Sequence, residues 1–147
     1  METIQLRPTR GPERRFEGEL LVHSVGDPDD KSTLGRCHDI SIYRQSDAAQ
    51  WAVCIEYKTQ ATSESPVTDV EVVDAAKDIE LVLQMYQPNE YINPASMRNL
   101  YEEARKRIVK QLFLHYDRQV RDVLQQLSAL GILPLETRTP TDVTQKA

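Results

Sequence analysis

Apolar residues recur at steps of three and four through the C-terminal part of the chain, and this spacing predicts one long helix. Asn93 before Pro94 is typical of a helix start, with asparagine as the N-cap and proline at the first helical position. Gly131 is typical of a left-handed helix stop. The predicted helix runs from Pro94 to Leu130, and its apolar stripe consists of Met97, Tyr101, Ala104, Ile108, Leu112, Tyr116, Val120, Val123, Leu127 and Leu130.

The length of this helix bears on assembly. It would extend about 55 Å at 1.5 Å per residue, whereas a compact domain of this size has a radius of gyration of about 15 Å. Either a second chain covers the part that projects, or the helix bends near its middle. Because a two-fold interface is the commonest way to bury such a surface, we expect a homodimer. Its predicted interface is formed by Leu112, Tyr116, Val120, Val123, Leu127 and Leu130.

Strict alternation of apolar and polar residues precedes the helical region and predicts strands. From Phe16 to His23 the residues Phe16, Gly18, Leu20 and Val22 should share one face. A second strand runs from His38 to Tyr43, and a third runs from Trp51 to Lys58. Three consecutive strands with short connections form an antiparallel meander.

The segment from Val67 to Tyr86 has two readings. The spacing of Thr68 and Glu71 matches a capping box and would start a helix there. The valines of residues 67–73 suit a short fourth strand, with Asp74 as the cap of a helix that ends at Tyr86. We favour the later start.

The predicted fold is therefore α+β, a three- to four-stranded antiparallel meander followed by a shorter helix and one long C-terminal helix. We expect residues 1–15 to form a flexible basic arm, residues 16–134 a single α+β domain, and residues 135–147 a flexible tail. The apolar sheet face that the helices should cover consists of Phe16, Leu20, Val22, Ile40, Ile42, Val53 and Ile55.

Composition narrows the class of protein. The 147 residues are 39% apolar and 28% charged, as in an ordinary soluble domain. Two cysteines cannot form a disulfide framework, and no apolar run approaches the roughly 18 residues of a membrane span. We therefore expect a cytoplasmic protein that does not enter a membrane. The net charge of −5 disfavours a dedicated nucleic-acid binder.

Charge is nevertheless distributed unevenly along the chain. Residues 64–90 hold seven acids against one base, whereas residues 94–130 hold seven bases against four acids. The two helical segments therefore carry opposite charge, which would guide their packing as an antiparallel pair. The best candidate for contacting an anionic partner is the basic cluster of Arg105, Lys106, Arg107 and Lys110.

No motif specifies chemistry. A metal site would have to combine His23, Cys54 and either Cys37 or His38, and no two of these have the short spacing that zinc sites usually show. Alternation alone would place carboxylates together on a sheet, as it does for Glu17, Glu19, Asp39 and Glu56. With five glycines the chain also lacks a phosphate-binding loop. We expect no catalytic, cofactor-binding or metal-binding residues.

The leading functional hypothesis is a non-enzymatic cytoplasmic assembly or adaptor module that dimerises through its long helix and binds an unidentified protein partner. The alternative is a regulatory nucleic-acid or anion binder that uses the N-terminal arginines and the basic helix face. An enzyme built on the open sheet face has the least support.

Overall fold

A computed structural model describes residues 2–46 and 49–134. Within these residues, five strands form one antiparallel sheet in chain order. The strands are β1 (Glu2–Leu6), β2 (Arg14–Ser24), β3 (Cys37–Gln45), β4 (Trp51–Lys58) and β5 (Val67–Val73). The helices are α1 (Lys77–Met85) and α2 (Glu102–Ala129), and short 3₁₀ turns span Lys31–Thr33 and Pro94–Met97. The predicted α+β class is confirmed, but the predicted three to four strands were too few.

The additional strand, β1, lies within the segment that sequence analysis predicted to be a flexible arm. Ile4 and Leu6 alternate with polar residues, and both are buried against Ala52. The turn after β1 reaches β5, because the backbone amide of Thr9 donates to the carbonyl of Thr68 at 2.9 Å. The sheet is therefore curled. The prediction for residues 2–6 was wrong because two apolar residues beside an arginine-rich turn are a weak strand signal.

The sheet has two buried faces. Both helices pack on one of them, called here the helix-covered face, whose main core contains Val22, Ile40, Ile42, Val53, Ile55, Val73, Ile79, Leu83, Tyr116, Val120, Val123, Leu127 and Leu133. The other, called the opposite face, is lined where the sheet curls by Ile4, Leu6, Phe16, Tyr43, Ala52, Val70 and Val72. The fourth predicted strand, residues 67–73, is β5, and α1 starts after it.

A β-bulge in β2 changes which residues face the helices. Leu20 pairs with Tyr43, and Val22 pairs with Ile42, so Leu21 is the extra residue. Val22 therefore faces the main core, whereas Phe16 lies on the opposite face and Leu20 is 44% exposed. The expectation that Phe16, Leu20 and Val22 share one face was wrong because alternation cannot reveal an inserted residue.

The long helix begins later than predicted. Asn93 caps the 3₁₀ turn Pro94–Met97, and α2 starts at Glu102, after the exposed residue Tyr101. The 28 residues of α2 extend about 42 Å at 1.5 Å per residue. Gly131 ends the helix with φ of +80°, as predicted, and the chain turns so that Leu133 packs into the main core.

The apolar stripe of α2 is covered by the same chain. Leu112, Tyr116, Val120, Val123 and Leu127 are buried, and of the six residues predicted to form an interface only Leu130 is exposed. The reason given for a dimer, an uncovered stripe, is therefore wrong, since β2, β3 and α1 cover it. Dimerisation itself stays a prediction.

Two other predictions concern membrane spanning and the C-terminal tail. None of the helices in the described part of the chain is both long enough and apolar enough to cross a membrane. The predicted flexible tail, residues 135–147, lies outside the described residues.

The bulge in β2 can be tested with a matched pair of substitutions. Val22→Lys should cost about 3 kcal/mol or more, because it places an unpaired ammonium in the main core. Leu20→Lys should change the free energy of unfolding by less than about 0.5 kcal/mol, because that side chain already contacts water. Urea denaturation measures both values, and equal losses would contradict the observed register.

Candidate functional site

One ion pair is completely enclosed by the protein. Arg36 precedes β3 and Glu64 lies in the connection between β4 and β5, and their side chains are 2% and 0% exposed. Nη2 of Arg36 lies 2.8 Å from Oε2 of Glu64, and Nε donates to Oε1 at 3.1 Å. Two contacts of this geometry form a bidentate pair, which is the strongest form of charge-assisted hydrogen bonding in proteins.

The carboxylate of Glu64 is saturated with hydrogen bonds. It accepts from the hydroxyls of Tyr57 at 2.6 Å, Thr59 at 2.8 Å and Ser96 at 2.7 Å, and from the backbone amide of Asn93 at 2.9 Å. Burial disfavours its charge, but the hydrogen bonds from Arg36, Tyr57, Ser96 and Thr59 outweigh burial and hold its pKa at about 2. The cluster therefore has a structural role: it ties the 3₁₀ turn before α2 to the sheet.

Loss of this carboxylate should destabilise the fold strongly. Glu64→Gln should lower the free energy of unfolding by about 3–5 kcal/mol, because the guanidinium of Arg36 would remain buried without a counter-charge. Glu71→Gln, which changes an exposed acid of β5, is the control and should have little effect. A loss below about 1 kcal/mol for Glu64→Gln in urea denaturation would contradict the structural role.

A second buried polar group lies under the helices. The ring of His38 is in contact with Tyr57, Tyr86 and Tyr116, at centroid distances of 5.5, 5.3 and 5.2 Å. Burial lowers the pKa of His38 to about 4, and the charge of Asp39 and a hydrogen bond to the Pro88 backbone offset this only in part. His38 is therefore a neutral core residue at physiological pH.

This histidine should make stability depend on pH. Between its ordinary pKa of 6.5 and the folded value of about 4, the unfolded chain binds a proton that the folded protein does not. Stability should therefore fall as the pH drops from about 6.5 to about 4, and this contribution should be constant above 6.5.

His38→Phe should remove most of that loss, as measured by urea midpoints at pH 7 and pH 4.5. His23→Gln, at an exposed histidine, is the control. Equal loss of stability in His38→Phe and in the unchanged protein would contradict this account.

The candidate metal ligands do not converge. His23 and Cys54 flank Ser41 on the opposite face, whereas His38 points into the main core. No group of three or more His, Cys, Asp or Glu side chains in residues 2–46 and 49–134 could hold a metal ion. Burial raises the pKa of Cys37 and of Cys54 to about 11, so both thiols are protonated and poor nucleophiles.

The opposite face also carries a serine and histidine pair. Nδ1 of His23 lies 2.9 Å from Oγ of Ser41. No carboxylate among the described residues forms a hydrogen bond with His23, so nothing orients its ring as catalysis requires. The four candidate carboxylates are divided between the two faces. Asp39 and Glu56 are register neighbours on this face, whereas Glu17 and Glu19 lie on the other side of the sheet, next to Thr3 and Arg44.

The outer surface of α2, directly opposite its buried stripe, is predominantly basic, although the exposed acids Asp117 and Asp122 lie beside Arg118 and Arg121. Its four exposed bases flank the exposed residue Leu114, and none of them forms an ion pair or hydrogen bond within the described residues. They follow each other at helical spacing over 14 residue steps, about 21 Å. We call this surface the basic face; it consists of Arg107, Lys110, Leu114, Arg118 and Arg121.

Only half of the basic face was predicted from the sequence. Arg107 and Lys110 belong to it, but Lys106 pairs with Glu102 at 3.4 Å and Arg105 is half-buried away from it. Arg118 and Arg121 were missed because they lie one turn beyond the dense basic run. Their spacing from Lys110 is the signal that could have identified them.

The outer surface of α1 has the opposite charge. Leu81 and Met85, one helical turn apart, are 52% and 68% exposed. Acidic side chains lie beside them and form no ion pairs within the described residues. We call this surface the acidic face; it consists of Asp74, Asp78, Leu81 and Met85, with Glu80 at its edge beside the groove to α2 and one exposed base, Lys77, one turn before Leu81.

The two faces lie side by side on one layer. The hydroxyl of Tyr116 in α2 donates to the carbonyl of Leu83 in α1 at 2.7 Å, and both helices pack on the same sheet face. An open groove of about 950 Å³ includes Glu80 of α1 together with Arg121 and Ser128 of α2 in its lining. The ring of Tyr86, just after α1, lies 5.2 Å from the ring of Tyr116 near the middle of α2, and the groove beside α1 extends from there to Ser128 near the end of α2, which indicates that the helices run antiparallel.

A smaller cavity lies under the 3₁₀ turn that follows β2. It has a volume of about 210 Å³, and its lining includes Asp30, His115 and Arg118. Nδ1 of His115 lies 3.1 Å from Oδ2 of Asp30, so this pair ties the turn to α2.

The chain matches no known protein-family model, and no curated protein or solved structure is significantly similar to it.

Proposed function

We propose that this protein is a non-enzymatic assembly module of the cytoplasm that forms a homodimer through the outer surface of its helical layer. The observation that carries the proposal is the outer surface itself. It combines exposed Leu81, Met85 and Leu114 with charged side chains that form no ion pair within the described residues. Apolar residues within a charged rim are typical of protein interfaces.

The location of the interface differs from the expectation based on periodicity. The apolar stripe stabilises the fold, so the proposed contact uses the other side of α2. Cys37 and Cys54 are both free thiols, which supports a reducing compartment such as the cytoplasm.

A second candidate function uses the same bases. Four bases along about 21 Å of helix could bind a polyanion such as nucleic acid, and such binding would weaken steeply with salt. The net charge of −5 and the adjacent acidic face oppose it. We therefore rank this alternative second.

Sedimentation velocity tests the proposal directly. The protein should form dimers at micromolar concentration, and they should dissociate in part as NaCl is raised, because salt screens exposed charges. Leu114→Ser should weaken the dimer, whereas Leu20→Ser should not. These two leucines are a matched pair, each 44% exposed but on opposite sides of the sheet.

Two results would decide against the proposal. A monomer at every concentration would exclude self-association. Salt-sensitive co-sedimentation of the monomer with a DNA duplex would favour the second candidate function instead.

A further inference from the structure

We infer that the partner on the basic face is the acidic face of a second copy, so that α1 of each protomer packs against α2 of the other around a two-fold axis. This inference rests on the proposed function and specifies its geometry. Its basis is that one chain carries both halves of a complementary pair, and neither half is neutralised within the described residues.

One segment of each face has the same length. Asp78 and Met85 are seven residue steps apart, as are Leu114 and Arg121, and each interval is about 10 Å of helix. A contact between these two segments leaves Arg107 and Lys110 outside its centre. Successive residues within each face are three or four positions apart, so each apolar side chain occupies about one helical turn of the contact.

The order of residues along the helices selects the direction of the contact. On α1 the acid Asp78 comes first and Met85 comes last, whereas on α2 Leu114 comes first and Arg121 comes last. Antiparallel packing therefore places Leu81 and Met85 beside Leu114 of the other protomer. The same packing places Asp78 and Glu80 near Arg118 and Arg121, where charges attract.

A two-fold axis is compatible with this arrangement. The helices run antiparallel within one chain. A two-fold axis parallel to them keeps the direction of each helix but exchanges the lateral positions of α1 and α2. Such an axis lays α1 of each protomer over α2 of the other, so the same contact forms twice. The interface is closed and self-complementary, with three apolar side chains from each protomer at its centre.

A second copy explains these observations better than an unrelated anion does. A polyanion would contact the bases but leave Leu81 and Met85 exposed beside it. A second copy covers Arg118, Arg121, the acids of α1 and all three apolar residues together. Charge complementarity would set the register and raise the association rate, and the apolar contacts would add affinity.

Two charge-reversal variants test the pairing. The first is Arg118→Glu with Arg121→Glu, and the second is Asp78→Lys with Glu80→Lys. Each alone should weaken homodimerisation by about tenfold or more, because like charges then meet at both contacts. An equimolar mixture of the two should form a heterodimer, because acidic α2 of the first then meets basic α1 of the second, and the remaining contact is also complementary.

Controls separate this inference from the proposed function. Arg14→Glu with Arg15→Glu reverses two exposed bases on β2 and should leave dimerisation unchanged. Circular dichroism melting of every variant verifies folding. A dimer that forms equally well in both variants would overturn this pairing but leave the proposed function standing. Variants that fail to associate when mixed would also overturn it, and a monomeric unchanged protein would overturn both.

Discussion

The buried ion pair between Arg36 and Glu64 is the constraint on which the arrangement of helices and sheet depends. It joins the start of β3, the connection before β5 and the turn before α2, three segments that share no strand or helix. Removing two charges from water is costly, and such a pair persists only when further hydrogen bonds satisfy the carboxylate. Here the donors Tyr57, Thr59 and Ser96 provide them. Because Ser96 belongs to the 3₁₀ turn, the chain is anchored just before α2 crosses the sheet.

Once its start is anchored, α2 lies across β2 and β3 with its apolar stripe facing the sheet. The stripe is longer than the width of a small sheet, and the chain covers it in two further ways. Tyr116 reaches α1 through a hydrogen bond to Leu83, and the turn at Gly131 brings Leu133 back against the core. Helix length alone therefore does not require a second chain. The outer surface of α2 is left facing away from the sheet, and it carries bases around the exposed residue Leu114.

The parts of the fold that depend on local periodicity could be predicted from the sequence. The stripe of α2, the alternation in β3 and β4 and the stop at Gly131 follow from spacing within one element, and they agree with the structure. The bulge at Leu21 could not be predicted, because it depends on how β2 pairs with β3. The partner of Arg36 could not be predicted either, since Glu64 is 28 residues away and resembles any other acid in a polar loop.

The surface formed by the basic and acidic faces could likewise be predicted only in part, because local spacing identifies some of its residues and the fold determines the rest. Arg107 and Lys110 were identified because they lie in a dense basic run, but the surface they belong to is defined by the orientation of α2. Net charge is a poor guide to such a surface, because −5 is a sum over the whole chain, in which local clusters of opposite sign cancel. Within one chain these faces lie on the same layer, and no ion pair joins them within the described residues. A molecule that approaches this layer from outside can contact both faces at once, and the proposed molecule is a second copy, whose own layer carries the complementary charges and further exposed apolar side chains.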